Sequence, residues 1–269
     1  MTAPWPNACD CHMHIYDESY PLAPTATFKP PNAPVPAYRE VQRELGLTRV
    51  VVIQPTGYGE DNRCTLAGMA ALGANARGIA VLPPDVADAE LQRLHGLGMR
   101  GVRFMMLPGG VLPWSALEPT AARIAPLGWH IGLQLDGREL PQRESMLAKL
   151  PGTIVVDHVG KFLEPVPVES EAFASLCRLL GRGNFWIKLS APYETSKRRA
   201  PGFEDVAELA RALAARFPER CLWASNWPHP NATPQPSNHA LYEWARSCVD
   251  NDANWKRILV DNPAEVYGF

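Results

Sequence analysis

Two histidines near the N-terminus stand at a spacing that suits chemistry better than packing. Asp10, His12 and His14 alternate with Cys11 and Met13 in an apolar, strand-like segment. Because successive side chains of a β-strand point to opposite faces, all three polar residues are expected on one face. A single histidine is more often structural, but two imidazoles beside a carboxylate favour proton transfer or ligand binding.

Polar residues also occur at or just after the ends of later apolar segments. Arg103, His158 and Asn226 join His12 and His14 as candidates for catalysis. The candidates for substrate binding are Gln54, Thr56, Asn62, Gln134, Lys161, Ser190, Tyr193 and His229. Asp136 and Lys188 share this placement. Each of these residues, taken alone, is also compatible with an ordinary hydrogen bond inside the protein.

Eight short apolar segments rich in β-branched residues would carry these side chains. They run over 8–15, 49–54, 77–82, 101–105, 130–135, 153–156, 185–189 and 221–224. Amphipathic stretches lie between most of them, at 37–45, 65–74, 87–96, 173–180 and 203–216. Alternating strands and helices favour parallel pairing, and eight repeats favour a single (β/α)8 TIM barrel over residues 1–269.

A doubly wound open sheet is the alternative architecture. Against it, no G-x-G-x-x-G or G-x-x-x-x-G-K-[ST] loop follows any segment, so the usual phosphate-binding loops are missing from the sequence. In a parallel barrel the carboxyl ends of all strands open onto one face. The polar residues are therefore expected to meet at this face, although they are far apart in sequence.

Composition and charge argue against several classes of function. Hydrophobic residues make up 46% and charged residues 20% of the 269 residues, as in ordinary globular proteins. The formal net charge of -2 and the lack of a basic stripe argue against nucleic acid as a partner. The N-terminus is not signal-like, and no apolar run approaches the ~20 residues that span a bilayer. We therefore predict a cytoplasmic protein without membrane attachment.

Cysteine and proline usage adds two expectations. The six cysteines include no C-x-x-C pair, which favours reduced thiols over a disulfide framework or a thiolate metal site. Strand alternation would point Cys9 and Cys11 toward the outer helices. Prolines cluster at 21–36 and 228–236, after the first and last strands. Rigid loops there would form either walls of the barrel mouth or plain surface connections.

Three motifs together resemble the amidohydrolase superfamily (amidohydrolase-related family 2). Asp10-Cys11-His12-Met13-His14 is similar to its D-x-H-x-H strand-one motif, 156–161 to its strand-six histidine segment, and 222–230 to its terminal G-[ST]-D-W-P-H segment. Segments 76–81 and 98–104 further resemble the branch of the 2-pyrone-4,6-dicarboxylate lactonases and galactarolactone isomerases. The resemblance spans nearly the whole chain. It implies a (β/α)8 barrel that acts on a small lactone or carboxylic acid.

The sequence departs from the metal-dependent members of that superfamily. They bind a divalent ion through the strand-one histidine pair, a middle-strand histidine or carbamylated lysine, and a strand-eight aspartate. Gln134 and Asn226 stand at two of these positions, and neither amide is a good ligand for zinc or manganese. We expect no tightly held metal and no other cofactor, in line with the metal-free pyrone lactonase branch. A divalent ion would bind only weakly, at His12, His14 and His158.

Asn226 decides between two reaction outcomes. In metal-free lactone hydrolysis a strand-eight aspartate is the natural general base for the attacking water, and asparagine cannot take a proton. Either another residue, with His158 the best candidate, activates water, or a hydroxyl of the substrate attacks and the lactone is isomerised. Hydrolysis of a carboxylated or sugar-acid lactone is the first prediction and isomerisation the second.

The charge of the substrate follows from the number of arginines. Arg103 is the arginine that the strand pattern places in the mouth, where its guanidinium would polarise the lactone carbonyl. One carboxylate or several hydroxyls therefore suit the site better than a planar dicarboxylate. A metal-dependent decarboxylase of the same superfamily and a sugar-acid binding protein without turnover are the alternatives. Tryptophans 5, 227 and 244 are compatible with a homo-oligomer interface or with plain core packing.

Overall fold

Eight strands alternate with helices along the chain. The structure is a computed structural model that describes residues 5–198, 200–230 and 232–269. The strands are β1 (Cys9–Met13), β2 (Arg49–Ile53), β3 (Ala76–Ala80), β4 (Met99–Met105), β5 (His130–Gln134), β6 (Thr153–Val156), β7 (Phe185–Leu189) and β8 (Cys221–Trp223). All eight coincide with segments predicted from the sequence.

The helices surround these strands. They are α1 (Val35–Leu45), α2 (Arg63–Leu72), α3 (Asp88–Gly96), α4 (Leu117–Ile124), α5 (Leu140–Leu147), α6 (Glu171–Leu180), α7 (Glu204–Arg216), α8 (Asn238–Ser247), α9 (Asp252–Lys256) and α10 (Asn262–Tyr267). The sequence predicted α1, α2, α3, α6 and α7. It did not predict α4, α5, α8, α9 or α10. Helices α4 and α5 have 8 residues each and contain a proline in the first turn, and so short a stretch hardly shows a helical period.

Local signals fix where several helices begin and end. The Ser170 hydroxyl accepts a hydrogen bond from Phe173 N over 3.2 Å and caps the start of α6. At the end of α1, Gly46 has φ 71°, a left-handed conformation that glycine adopts without steric cost. The end of α1 at Gly46 leaves only a short connection to β2, which begins at Arg49.

The sheet closes on itself at the carboxyl ends of its strands. Strands pair in parallel in chain order from β1 to β8. Beyond the paired residues of β8, Asn226 N donates to His12 O over 2.8 Å, and His14 N donates to Trp227 O over 2.8 Å. The barrel is thus nearly closed, which confirms the predicted (β/α)8 fold. The same two hydrogen bonds hold Asn226 beside the histidines.

The apolar residues form two buried clusters. One combines helix residues with alternate strand residues and fills the layer between helices and strands. The other consists of strand residues together with Val266 and Tyr267 of α10, and it fills the barrel interior. Cys9 and Cys11 belong to this interior cluster, so the prediction that they face the outer helices was wrong. All six cysteines are buried and unpaired.

The first strand is irregular, and this corrects the predicted orientation of Asp10. The Asp10 carboxylate accepts hydrogen bonds from Tyr38 of α1 over 2.9 Å and from the Ser225 hydroxyl over 2.5 Å, away from the histidine side chains. The pairing register shifts between Asp10 and Met13. Strict alternation therefore fails, and His12 turns inward although Asp10 faces the helix layer.

Among the described residues, no helix combines the length and the apolar character that a membrane span needs.

Candidate active site

A cavity of about 280 Å³ opens at the carboxyl ends of the strands. It is lined by His14, Tyr16, Phe28, Thr56, Arg103, Met105, Leu107, Pro108, Gln134, His158, Lys161, Leu163, Glu194, Asn226 and Pro230. Seven of these are residues that the sequence singled out: His14, Thr56, Arg103, Gln134, His158, Lys161 and Asn226. Phe28 and Pro230 come from the two proline-rich loops, so both loops form walls of the mouth.

His12 lies beneath the cavity in a fully buried network. Its Nε2 is 3.2 Å from His14 Nε2, and its Nδ1 is 3.1 Å from Lys188 Nζ. Lys188 Nζ also donates to Asp157 Oδ1 over 2.9 Å, which makes a buried ion pair. At the other end, His14 Nδ1 is 2.8 Å from Ile53 O. The strand-one histidines are therefore linked to β7 on one side and to β2 on the other.

Burial keeps these two imidazoles neutral. It lowers the pKa of His14 to about 3, with the Arg103 charge acting in the same direction. Burial and the Lys188 charge lower the pKa of His12 well below its usual value, against the opposing effect of Asp157. Burial is the largest single effect and alone would raise the pKa of Asp157, but Lys188, His12 and His158 together outweigh it and hold that pKa well below its usual range. The Asp10 carboxylate faces the helix layer, so these shifts come from burial and from the charges of Lys188, Arg103 and Asp157.

His158 offers an imidazole nitrogen to the cavity. Its Nδ1 is 2.8 Å from the Ser190 hydroxyl, which fixes the plane of the ring. The other ring nitrogen, Nε2, is on the cavity side and has no hydrogen-bond partner within the described part of the chain. Burial lowers the pKa of His158 well below its usual value, so the ring is neutral at physiological pH. A neutral, oriented imidazole can take or give one proton.

Several non-glycine residues at this face have a left-handed backbone. The φ angles are 51° at His158, 49° at Lys161, 58° at Asn226 and 59° at His229. Each such conformation costs about 1–3 kcal/mol and persists only where the surrounding structure imposes it. Strain of this kind is concentrated at functional sites, and here it fixes the direction in which four of the candidate side chains project.

Arg103 is held by two neighbours and keeps donors free. One terminal nitrogen donates to Gln54 O and the other to Gln134 Oε1, each over 2.9 Å. Its buried Nε has no hydrogen-bond partner among the described residues. The Gln54 side chain itself binds Gly59 O and Asp61 O, so it braces the loop after β2 and does not line the cavity. A guanidinium fixed in this way can bind a carbonyl or carboxylate oxygen.

The orientation of the Asn226 carboxamide is set by its partners. Nδ2 donates to Glu194 Oε1 over 2.9 Å and to the Tyr193 hydroxyl over 2.8 Å. Because an ionised carboxylate only accepts, the nitrogen must face Glu194 and the oxygen is left for the cavity. Glu194 also pairs with Lys161 through its second oxygen. Burial lowers the pKa of Lys161 to about 8, with Asp157 opposing this effect and Arg103 reinforcing it.

Sequence reasoning missed Glu194 and Asp157. Glu194 ends a short 3-10 turn after β7, directly behind the candidate Tyr193. Asp157 directly precedes the candidate His158. A carboxylate adjacent to a predicted site residue at a strand end was the signal available for both. Neither could be paired with its lysine in advance, since both contacts join different strands or loops of the barrel.

Besides Gln54, four other predicted binding residues lie outside the main cavity. Ser190 contacts His158, as described above. The Asn62 side chain donates to Val81 O and accepts from Val81 N, which ties two loops together. The Tyr193 hydroxyl is 3.0 Å from His229 Nδ1, and His229 Nε2 is 2.8 Å from Asn238 Oδ1. The Tyr193–His229 pair therefore supports Asn226 from behind. Tyr193 also lines a second cavity of about 360 Å³ that shares Lys161 and Glu194 with the first.

Three residues carry atoms close enough to hold a metal ion. The ligand atoms of His12, Asp157 and His158 lie within 4.8 Å of one another. This set contains Asp157 where the sequence predicted His14. Lys188 Nζ already contacts His12 Nδ1 and Asp157 Oδ1, over 3.1 and 2.9 Å. A divalent ion at these atoms would lie against an ammonium group, so the donor set as arranged does not fit a resident metal.

The family follows from a comparison of the whole sequence. The sequence profile of the amidohydrolase family matches residues 9–269. The chain belongs to the amidohydrolase family. This confirms the assignment made from the motifs in β1, after β6 and after β8. The match extends over all eight strands, and thus over every strand end that lines the amidohydrolase cavity.

Known relatives of this amidohydrolase resemble it over nearly its full length. D-galactarolactone isomerase of Agrobacterium fabrum is 34% identical over 275 residues, covering 99% of this chain and 94% of the relative. The 2-pyrone-4,6-dicarboxylate hydrolase of Comamonas testosteroni is 34% identical over 273 residues, covering 97% and 90%. A crystal structure of an Agrobacterium tumefaciens protein in its apo form superposes with a TM-score of 0.93 at 32% identity, covering 98% and 96%.

Proposed function

We propose that this protein processes lactones, holding a small cyclic ester between Arg103, His158 and Asn226. Support comes from relatives with an isomerase or hydrolase name for a lactone or pyrone substrate, each 34% identical over nearly the whole chain. Further support is the cavity at the strand ends, where a guanidinium, a neutral imidazole and a carboxamide oxygen face one space. The free donors of Arg103 are suited to the carbonyl oxygen, which becomes negative as the ester is attacked.

We infer that the substrate is anionic or rich in hydroxyl groups. Two cationic side chains, Arg103 and Lys161, line the cavity with one carboxylate, Glu194. The resulting excess of positive charge favours a lactone with a carboxylate substituent. Gln134, Thr56 and the Asn226 oxygen supply polar groups of the kind that hydroxyls bind.

Of the two reaction outcomes, lactone isomerisation is the better supported, and the orientation of Asn226 carries this conclusion. Its Nδ2 is bound to Glu194, and the Glu194 and Asp157 carboxylates are each paired with a lysine. Among the described residues that line the cavity, Glu194 is the only carboxylate, so no unpaired carboxylate is available there to take a proton from water. A hydroxyl of the bound substrate needs less activation, since it is already held beside the carbonyl carbon.

The isomerisation balances with one proton carrier. The substrate hydroxyl oxygen bonds to the carbonyl carbon and its proton passes to His158 Nε2. The ring carbon–oxygen bond of the ester then breaks, and the same proton returns to the departing oxygen. Arg103 donates to the oxyanion between the two steps. The Asn226 oxygen accepts from a second hydroxyl of the substrate and in this way orients the attacking one. His158 ends the cycle neutral, as it began.

Hydrolysis is the second candidate, favoured by the open Nε2 of His158. A neutral imidazole there can take a proton from water as well as from a hydroxyl. In both cases we propose that the enzyme is metal-independent, because Lys188 contacts the atoms to which an ion would bind. Dialysis against a chelator should leave activity unchanged, and restoration of a lost activity by zinc or manganese would refute this proposal.

Reaction in ¹⁸O-labelled water distinguishes the two outcomes. A panel of carboxylated sugar lactones is incubated with enzyme, and products are followed by ¹³C NMR and mass spectrometry. Isomerisation gives a rearranged ring without the label, whereas hydrolysis gives an open-chain acid with one labelled carboxyl oxygen. Isomerisation is the expected result. If no lactone of the panel is converted although the same enzyme is folded, the proposed function itself is wrong.

A further inference from the structure

The buried network below the cavity has ends whose hydrogen-bonding roles are fixed. At one end Ile53 O is a carbonyl oxygen, which can only accept. At the other end the Lys188 ammonium, paired with Asp157, can only donate. Between them stand two neutral imidazoles, His12 and His14, each of which carries one N–H and one bare nitrogen. A chain of this kind allows its hydrogens to be placed by deduction.

The deduction starts at the carbonyl. His14 Nδ1 must carry hydrogen to bond Ile53 O over 2.8 Å, which leaves His14 Nε2 bare. His12 Nε2, 3.2 Å away, must then donate to it. His12 Nδ1 is consequently bare, and it faces Lys188 Nζ at 3.1 Å. Each of the three contacts then joins one donor to one acceptor.

The opposite direction of the chain meets two obstacles. It would require a charged His14 that donates from both nitrogens, although burial and Arg103 lower its pKa to about 3. It would also place hydrogen on His12 Nδ1, facing the ammonium hydrogens of Lys188 at 3.1 Å. A hydrogen on His12 Nδ1 could be donated only to Asp157 Oδ1, which is 3.3 Å away. That oxygen already accepts from Lys188 Nζ over the shorter distance of 2.9 Å, so this contact does not favour the opposite direction.

We infer that Lys188 is a positioning residue that fixes the tautomers of His12 and His14 by donating a hydrogen bond to His12 Nδ1. In this arrangement His12 Nε2 donates to His14 Nε2, and His12 Nδ1 accepts from Lys188 Nζ. Neither histidine therefore has a free lone pair that could act as a base in the cavity or bind a metal ion. The Lys188 charge polarises the series of hydrogen bonds through His12 to His14, so the His14 ring in the cavity wall becomes more positive. His158 is left as the imidazole that moves protons.

Lys188 acts from outside the reacting volume. Lys188 is only 1% exposed and does not line the cavity, so it cannot contact a bound lactone. Its kinetic effect therefore has to pass through His12 and His14, and this part of the inference rests on the proposed lactone chemistry. The tautomers themselves do not depend on which substrate the enzyme uses.

Histidine-labelled protein provides a direct test. Two-bond ¹H–¹⁵N NMR spectra of the wild-type enzyme distinguish Nδ1–H from Nε2–H imidazoles, and His12→Gln and His14→Gln variants assign the two signals. We expect Nε2–H at His12 and Nδ1–H at His14. A wild-type spectrum with Nδ1–H at His12, or with either ring charged at neutral pH, would overturn the inference without any recourse to activity.

Lys188→Met removes the fixed donor and keeps the length of the side chain. Hydrogen should then appear on His12 Nδ1, which finds Asp157 Oδ1 at 3.3 Å. The value of kcat should fall about 10- to 100-fold, the usual range for partners of this kind, with KM changed less than about threefold. Lys197→Met is the matched control, because it breaks an exposed 3.0 Å ion pair with Glu164.

The outcomes separate a positioning role from a structural one. A lower melting temperature with unchanged histidine tautomers would show that Lys188 only stabilises the fold, and the inference would fail. If Lys188→Met does not fold, the wild-type spectrum still decides. If no lactone is turned over but the tautomers are as expected, the proposed function fails and the inference stands.

Discussion

Two lysine–carboxylate pairs lie one above the other in the barrel and differ in what surrounds them. The inner pair, Lys188 with Asp157, has side chains that are 2% and 2% exposed and lies under the histidines. The outer pair, Lys161 with Glu194, has side chains that are 9% and 13% exposed and lines two cavities. The chemistry of the two pairs is the same, but their access to ligand and water is not.

This difference assigns the two pairs to separate tasks. The inner pair has no route to a ligand, and its hydrogen bonds set the state of His12. The outer pair lies between the two cavities, and Lys161 can exchange Glu194 for an anionic group of a ligand without moving the barrel. Burial makes a charge pair rigid and costly to break, whereas partial access makes it exchangeable. The predictions below test this contrast, beginning with the largest effect.

Acid should unfold the protein from the inner region. The buried imidazoles are His12, His14, His130, His158 and His229. Burial lowers the pKa values of His14 and His130 to about 3 and that of His229 to about 4, and lowers the other two well below the usual range. The unfolded chain takes up protons first, near pH 6.5, so stability is present above that pH and is lost as pH falls toward the folded values.

Below about pH 6.5, each buried histidine lowers the free energy of unfolding by about 1.4 kcal/mol for every pH unit of acidification. For five histidines the loss is about 7 kcal/mol per pH unit, against a total stability of about 5–15 kcal/mol. Urea unfolding followed by tryptophan fluorescence at pH 7, 6 and 5 measures the slope. Equal stability at pH 7 and pH 5 would contradict the prediction.

Removing the carboxylate partner should lower the free energy of unfolding more for the inner pair than for the outer pair. Asp157→Asn leaves the Lys188 charge buried without a counter-ion and should lower the free energy of unfolding by about 3–5 kcal/mol. Glu194→Gln leaves Lys161 beside a cavity that admits water, and should cost about 1 kcal/mol. Urea denaturation of both variants at pH 7.5 makes the comparison. Equal losses would mean that the two pairs are equally buried in solution.

The sequence predicts the features that depend on local patterns of apolar and polar residues. Eight apolar segments alternating with helices specify the barrel, and the barrel brings Arg103, His158 and Asn226 to one face. The inward orientation of His12 was predicted, but the opposite orientation of Asp10 was not, since it depends on a register shift between β1 and β2. Neither lysine–carboxylate pair was predictable, because each contact is fixed by barrel closure and by loop conformation.

Alkaline pH should act on the outer pair. Burial lowers the pKa of Lys161 to about 8, so its charge is present below that pH and is lost above it. For an anionic lactone, KM should rise about tenfold per pH unit above pH 8, with spontaneous ring opening subtracted. Lys161→Arg should abolish this rise, since arginine stays charged. A rise that persists in Lys161→Arg would assign the titration to another group.

The smallest expected effect concerns Asn226→Asp, which restores the carboxylate of the hydrolytic pattern. A free general base contributes about 10²–10⁴-fold, but an aspartate here would lie 2.9 Å from Glu194, where Asn226 Nδ2 lies now. Two carboxylates at that distance share a proton, so one pKa rises and the base is largely protonated at neutral pH. Hydrolysis, measured by ¹⁸O incorporation, should therefore increase by about threefold or less at pH 7 and more at pH 9.

The double variant Asn226→Asp, Glu194→Gln sharpens the test. A neutral amide at 194 can donate to the new carboxylate, so its pKa should fall and hydrolysis at pH 7 should exceed that of the single variant. The comparison isolates the role of the outer pair, because Lys188 and Asp157 are untouched in both proteins. If the single and double variants hydrolyse equally at pH 7, Glu194 does not control residue 226, and Asn226 is held by Tyr193 alone.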